Sequence, residues 1–251
     1  MEIIYSAASD PGLKRKLNED SYITDPGRGF FAIADGMGGH TAGEIASKIA
    51  VDAVHELIKT SSPGDIKADP HYDPHVSEDA NILRRAILEG NRRILSSALK
   101  NGELRGMGTT IVAVKIGGDS LAVGFVGDSR AYLVRNGKID QITMDHSWVN
   151  EQIKIGLMKK SEADGHPLRN VITRALGIND EVKVDVTDHD LFPDDILLLC
   201  SDGLNTQLSD SEMLEPIIAH KNDLHSACRE LIKKSNSNGG EDNITVILIR
   251  V

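Results

Sequence analysis

The chain has 251 residues, with 38 acidic side chains against 28 basic ones and a formal net charge of −10. That length can bury the core of one large domain, and that charge repels nucleic-acid phosphates, which excludes nucleic acid as a partner. Two cysteines, Cys200 and Cys228, are too few for a disulfide framework, and the absence of a basic-then-apolar leader or a membrane-length apolar run makes a soluble, cytoplasmic, monomeric protein the expectation.

In chain order, Ile3 to Ala8 alternates as a first strand that Asp10-Pro11-Gly12 stops. Arg15 follows, a few residues before Glu19 and Asp20. A lone Arg among acids is most often a surface ion pair, but its planar guanidinium is also the group suited to a two-pronged grip on phosphate. Phe30 to Ala34 is a strand that places Asp35 at its tip, and the glycines after it let backbone carbonyls approach a ligand. Thr41-Ala42-Gly43-Glu44 has the form of a capping box, and the apolar spacing from Ala42 to Leu57 predicts a helix packed on a sheet. His40, just before that cap, is either a solvated residue or a proton donor beside the acids.

Ser61 to Val76 carries three prolines and reads as a connection, so His71 and His75 are loop residues despite their spacing. A second long helix runs from Ser77 to about Leu99. Thr110 to Ile116 and Leu121 to Val126 form a hairpin, Ala131 to Val134 leads into the Asn136-Gly137 turn, and Asp128 lies between the second and third of these strands. Residues 144–177 differ in character: Asp145-His146-Ser147 starts an amphipathic helix through Leu157, and the segment reads as a flap over a sheet edge, either a gate or a packing insert. Ile196 to Cys200 is a buried strand ending at Ser201-Asp202-Gly203. A cysteine-phosphatase loop built on Cys200 would need Arg at the position held by Thr206, so Cys200 reads as a core residue. Ser209 to Glu212 is a second capping box, helices span about Asp210–His220 and Asp223–Lys234, and Asp242 introduces a last strand from Ile244 to Ile249. Helices in pairs between antiparallel hairpins predict an α+β fold, a four-layer αββα sandwich in a single domain.

Asp35, Asp128, Asp202, Asp242 and the Glu19-Asp20 pair each follow or flank a strand-like run. One such acid is a turn residue; five clusters together predict a cation site. Carboxylates without His or Cys favour Mg²⁺ or Mn²⁺ over Zn²⁺. Two such ions about 4 Å apart can share a bridging water and ready it for attack on phosphorus. Asp35 is the best candidate to bridge them, with Arg15 holding the phosphoryl oxygens and a neighbouring acid protonating the departing alkoxide. No covalent phosphoenzyme is required.

The strings RKLNEDSY, ADGMGGHTAGE, GMGTTIVAV, VGDSRAYL, DHS, HPLRNVITRALG, LLLCSDGL and GGEDNITVILI, in this order, resemble the bacterial branch of the protein phosphatase type 2C family from Ala7 to Ile249, weakly only in the proline-rich connection and between Ile178 and Phe192. The resemblance implies a metal-dependent serine/threonine phosphatase acting on phosphoproteins, opposed to a Ser/Thr kinase. In it Asp35 bridges two central ions, Gly36 offers its carbonyl, and Asp202 and Asp242 complete the first site. Glu19 and Asp20 act largely through waters, Arg15 binds substrate phosphate, and Asp128 with Asp202 fits a third, weaker ion. The animal members carry a general-acid His where this chain has Met37, which leaves His40 or a bound water as donor. Two rival readings are a catalytically silent phosphoprotein-binding regulator, which would be expected to lose metal acids that this chain keeps, and a phosphatase dedicated to one regulatory partner. A calcium module lacks its EF-hand pattern.

Overall fold

A computed structural model describes residues 2–38, 42–61, 63–163 and 165–251. The strands are β1 (Ile4–Asp10), β2 (Asp20–Asp25), β3 (Phe30–Met37), β4 (Gly108–Thr109), β5 (Ile111–Gly117), β6 (Ser120–Val126), β7 (Arg130–Arg135), β8 (Lys138–Gln141), β9 (Asp185–Asp190), β10 (Ile196–Cys200) and β11 (Ile244–Arg250). The helices are α1 (Ala42–Thr60), α2 (Pro63–Ile66), α3 (Glu78–Lys100), α4 (Trp148–Lys154), α5 (Lys160–Ala163), α6 (Asp202–Asn205), α7 (Asp210–Ala219) and α8 (Leu224–Ser237).

Two antiparallel sheets result, one in the order β1-β11-β10-β7-β8, the other β2-β3-β5-β6-β9 with β4 added to β3. Because successive side chains of a strand face opposite ways, each central strand serves two apolar layers. Phe31 and Ile33 of β3 meet Leu197, Leu199, Ile247 and Ile249 between the sheets. Phe30, Ala32 and Ala34 face the helix layer of Ala46, Ala50, Val54, Leu83 and Ile87. Leu198, Cys200, Val246 and Leu248 face Met213, Ile217, Ala227 and Leu231 on the other side. Runs that are apolar on both faces are what a doubly covered sheet requires, and each such side chain contributes about 1.5–3 kcal/mol by burial. This is the four-layer αββα sandwich that the element order predicts.

Several details differ from the sequence reading. Asp35 does not stand at a strand tip: β3 runs on to Met37 by exchanging partners, pairing with β5 up to Ile33 and with β4 at Gly36 and Met37. Strands β2, β8 and β9 lie in stretches to which the sequence reading assigned no strand, β8 being the far arm of the Asn136-Gly137 turn; β2 and β9 are edge strands whose acids, Asp20 and Asp25 in one and Asp185, Asp188 and Asp190 in the other, hide their period. The helix at Ser147 is shorter than expected. Ser147 caps it, but Gly156 at φ +77° stops it, with its N–H on Ile153 O and the Leu157 N–H on Gln152 O. That left-handed stop is a glycine termination, and it leaves Leu157 74% exposed instead of in an apolar face. The capping box at Ser209 forms in both directions, whereas the one predicted at Thr41 falls outside the described residues.

Candidate active site

Backbone pairing brings the first acids together. In the β2–β3 ladder Asp20 lies opposite Asp35, and the Gly36 N–H donates to Glu19 O at 3.2 Å. A side chain at Gly36 would run into the Gly43 carbonyl and the Glu19 carbonyl, so glycine here permits close approach of α1 to the acidic corner. Asp35 itself is fixed by two threonines: its N–H donates to Thr110 Oγ1 at 3.0 Å, and Thr109 Oγ1 donates to its carbonyl at 2.8 Å.

The other sheet supplies Asp202 and Asp242, and the connection from β6 to β7 supplies Asp128. Asp202 opens α6 directly after β10, and Asp242 stands two residues before β11. Asp128 follows Gly127, whose φ of +105° turns the chain after β6. Gly127 is held from both sides by His146, donating its N–H to Nδ1 at 3.1 Å and accepting the His146 N–H at 2.9 Å.

The carboxylates perturb one another. Asp35 is held well above the usual carboxylate range, first by burial and then by the charges of Asp20, Asp202, Asp128 and Asp242. Burial pushes Asp20 to about 7 even though Thr245 and Ser201 both donate to its Oδ2, at 2.6 and 2.7 Å. Asp128 rises to about 7, by burial and then by Asp202 and Asp145. Asp202 rises to about 6, by burial and then by Asp242. Glu19 is also raised, chiefly by burial. Like charges gathered in a low-dielectric corner are the signature of a functional site.

The hydrogen-bond census agrees. Glu19 Oε1, Asp20 Oδ1 and Asp202 Oδ1 are buried acceptors with no hydrogen-bond partner, an arrangement that costs free energy unless something positive fills it. An all-oxygen donor set with orphaned lone pairs and a glycine carbonyl alongside fits hard divalent cations such as Mg²⁺ or Mn²⁺. Among the described residues no group of three acidic, His or Cys side chains is already arranged to hold a metal ion; the fit rests on the oxygen donors and their orphaned lone pairs.

Arg15 sits at the rim, donating through Nη2 to Asp242 Oδ2 at 2.7 Å with about half of its side chain exposed. His40 lies outside the described residues. Cys200 is fully buried in β10, with its thiol pushed up to about 12 by burial, so it is no nucleophile. Several supporting residues escaped the sequence reading. Asn243 accepts the Glu19 N–H through Oδ1 and donates through Nδ2 to Pro11 O and Leu17 O. Ser201 and Thr245 orient Asp20, and Thr110 bonds Ser129 at 2.7 Å. For Asn243, Ser201 and Ser129 the available signal was position, since each adjoins an acid of the quoted strings; Thr110 and Thr245 have no such neighbour.

Residues 14–232 match the family model described as Protein phosphatase 2C. The serine/threonine phosphatase stp of Listeria monocytogenes is 38% identical over 244 residues, 96% of this chain and 93% of that protein. The serine/threonine protein phosphatase PstP of Mycobacterium tuberculosis is 37% identical over 247 residues, which span 98% of this chain and 45% of PstP. The crystal structure of the M. tuberculosis phosphatase PstP/Ppp superposes with a TM-score of 0.87 at 35% identity, covering 99% of this chain and 98% of the other. The catalytic domain of PstP in complex with two manganese ions gives 0.82 at 34% identity, covering 99% and 97%.

Proposed function

The chain belongs to the protein phosphatase 2C family and is a protein serine/threonine phosphatase; from that premise we propose that it hydrolyses phosphoserine and phosphothreonine by direct transfer to water at the acidic corner, in the cytoplasm, opposite a Ser/Thr kinase. The observation that carries this reading is the convergence of Asp35, Asp20, Asp128, Asp202 and Asp242 with buried, unpartnered carboxylate oxygens among them.

Asp35, Asp202, Asp242 and the Gly36 carbonyl would hold two central divalent cations, with Glu19 and Asp20 behind them and Asp128 with Asp202 at a third. PstP is the relative that carries two manganese ions; for this chain Mn²⁺ or Mg²⁺ fits the donor set equally well. Bound there, such cations supply a water acidic enough to attack phosphorus near neutral pH, together with positive charge at the reaction centre.

The chain's own residues do the rest. Arg15 uses only Nη2 toward Asp242 among the described residues, so its other N–H groups are available for two-pronged capture of a phosphoryl group. Threonines 109 and 110 keep Asp35 from swinging away as charge accumulates, since they hold its backbone on both sides. Among the described residues of this corner no thiol or unbonded hydroxyl stands beside the acids to form a covalent intermediate, and Cys200 faces a helix layer away from it.

The test is hydrolysis of a phosphothreonine peptide with and without Mn²⁺. Turnover that a chelator abolishes, and that Asp35→Asn lowers by about 10²-fold or more, supports the reading; chelator-resistant turnover removes it.

A further inference from the structure

Beside the acidic corner a groove of about 540 Å³ runs between β1 and α8. Ala8 and Ile232 form apolar wall, and Leu13 stands at its lip, 66% exposed. Arg229 and Lys233, one helical turn apart on α8, line it and are exposed. Glu230, next to Arg229 in sequence, is engaged with His220, and Glu215 with Lys234. Asp10, on the same wall, has its Oδ1 occupied by the Gly12 N–H and Asn236 Nδ2. In a chain of net charge −10, two cations over an apolar floor are a local reversal of sign.

The groove is continuous with the reaction site through one loop. The Leu13 and Lys14 N–H groups both donate to Gly240 O, at 2.7 and 3.2 Å, and Asn243 ties down Pro11 and Leu17. Two residues beyond Leu13, Arg15 reaches Asp242. Lys14 and Lys16 flank Arg15 and are exposed, so positive charge extends from the phosphate-binding rim to Arg229 and Lys233.

We propose that this groove docks the stretch of the phosphoprotein beside the phosphoresidue, and that the favoured occupant is an acidic segment with aliphatic side chains. This rests on the phosphatase reading above. Carboxylates of the segment meet Arg229 and Lys233, while an aliphatic side chain covers Leu13 and Ile232. Complementary charge steers such a segment and fixes its register.

The test compares phosphothreonine peptides of equal length carrying Asp, Glu and Leu on the amino side, on the carboxyl side, or a neutral Ser-Gly flank, with p-nitrophenyl phosphate as a small ester. One acidic peptide is expected to exceed the neutral one by about 10-fold in kcat/KM, mostly through KM. The pair Arg229→Glu with Lys233→Glu removes that preference and leaves the small ester unchanged; Arg229→Ala with Lys233→Ala removes it in part. Fluorescence anisotropy of the unphosphorylated acidic peptide, which needs no turnover, is expected to lose binding in the charge-reversed pair. Equal rates and equal binding for acidic and neutral flanks overturn the proposal. So does a preference that survives charge reversal, or self-association that the reversal abolishes, which would assign the groove to a second copy. No hydrolysis of any substrate, with peptide binding intact, would instead strike the phosphatase reading.

Discussion

Each acid of the corner does two opposed things. Asp202 is the clearest case, because burial and Asp242 raise it to about 6 while one of its oxygens has no partner. A carboxyl raised in the folded state contributes stability that is present below its ordinary value near 4 and lost as pH rises through about 6. The cation-free protein therefore carries a penalty at neutral pH that is relieved by acid. Asp202→Asn is expected to abolish turnover and yet to raise the melting temperature of chelated protein at pH 8 by roughly 2–4 °C, what about 1 kcal/mol moves in a domain of this size. The gain should vanish toward pH 4. Melting curves of both proteins in chelator across that range check it, and a variant that is less stable than its parent at pH 8 would show the carboxylates to be better satisfied than their environment indicates.

Among the elements, the segment at 144–177 is tied to the sandwich by Arg130 on Asp145, by the Thr109–Leu176 bridge, and by a buried knot at His146. His146 Nδ1 accepts the Gly127 N–H, so Nε2 carries the proton and donates to Asp185 on β9 at 3.0 Å, where Arg174 also arrives at 3.2 Å. The His146 hydrogen bond first, then the charges of Arg174 and Lys183, hold Asp185 down at about 2 against the opposing effect of burial. A depressed carboxyl contributes stability present above about 4 and lost as pH falls through about 2. Asp185→Asn should melt below the wild type at pH 6, with the difference closing between pH 4 and 2. Paired thermal scans at those pH values decide it. The elements also show what was legible in the sequence. Layers built on alternation or on runs apolar on both faces, such as β3, β5, β10 and β11, were readable because burial dictates their residues. The acids Asp35, Asp128, Asp202 and Asp242 were readable because each follows or flanks such a run. Strands β2 and β9 were not, since an edge strand takes charged residues that mask its period. The roles of Asn243, Ser201 and Thr245 were hidden too, because each is defined by a partner far along the chain, Glu19 or Asp20, that only the fold brings near.

At the scale of the whole molecule, the corner joins the two sheets: Asp20 and Asp35 lie on one, Asp202 and Asp242 adjoin strands of the other, and Asp128 sits on the connection from β6 to β7 between them. Cations held there would bind the native protein and not the unfolded chain, so Mn²⁺ at 100 times its dissociation constant should add about 2.7 kcal/mol. Differential scanning calorimetry in Mn²⁺ and in chelator should show that rise in the wild type and little of it in Asp35→Asn. Equal melting of both proteins in both conditions would separate the corner from any cation. The ladder of β11 has a consequence in time. It lies between β1 and β10, matching Ile4 with Arg250 and Ile196 with Arg250, so during synthesis β1 stays unpaired until β11 emerges from the ribosome. Asp242 arrives just ahead of that strand. Until β11 has been made, β1 has no partner in its sheet and the acidic corner stays incomplete, although every other strand of both sheets is already present.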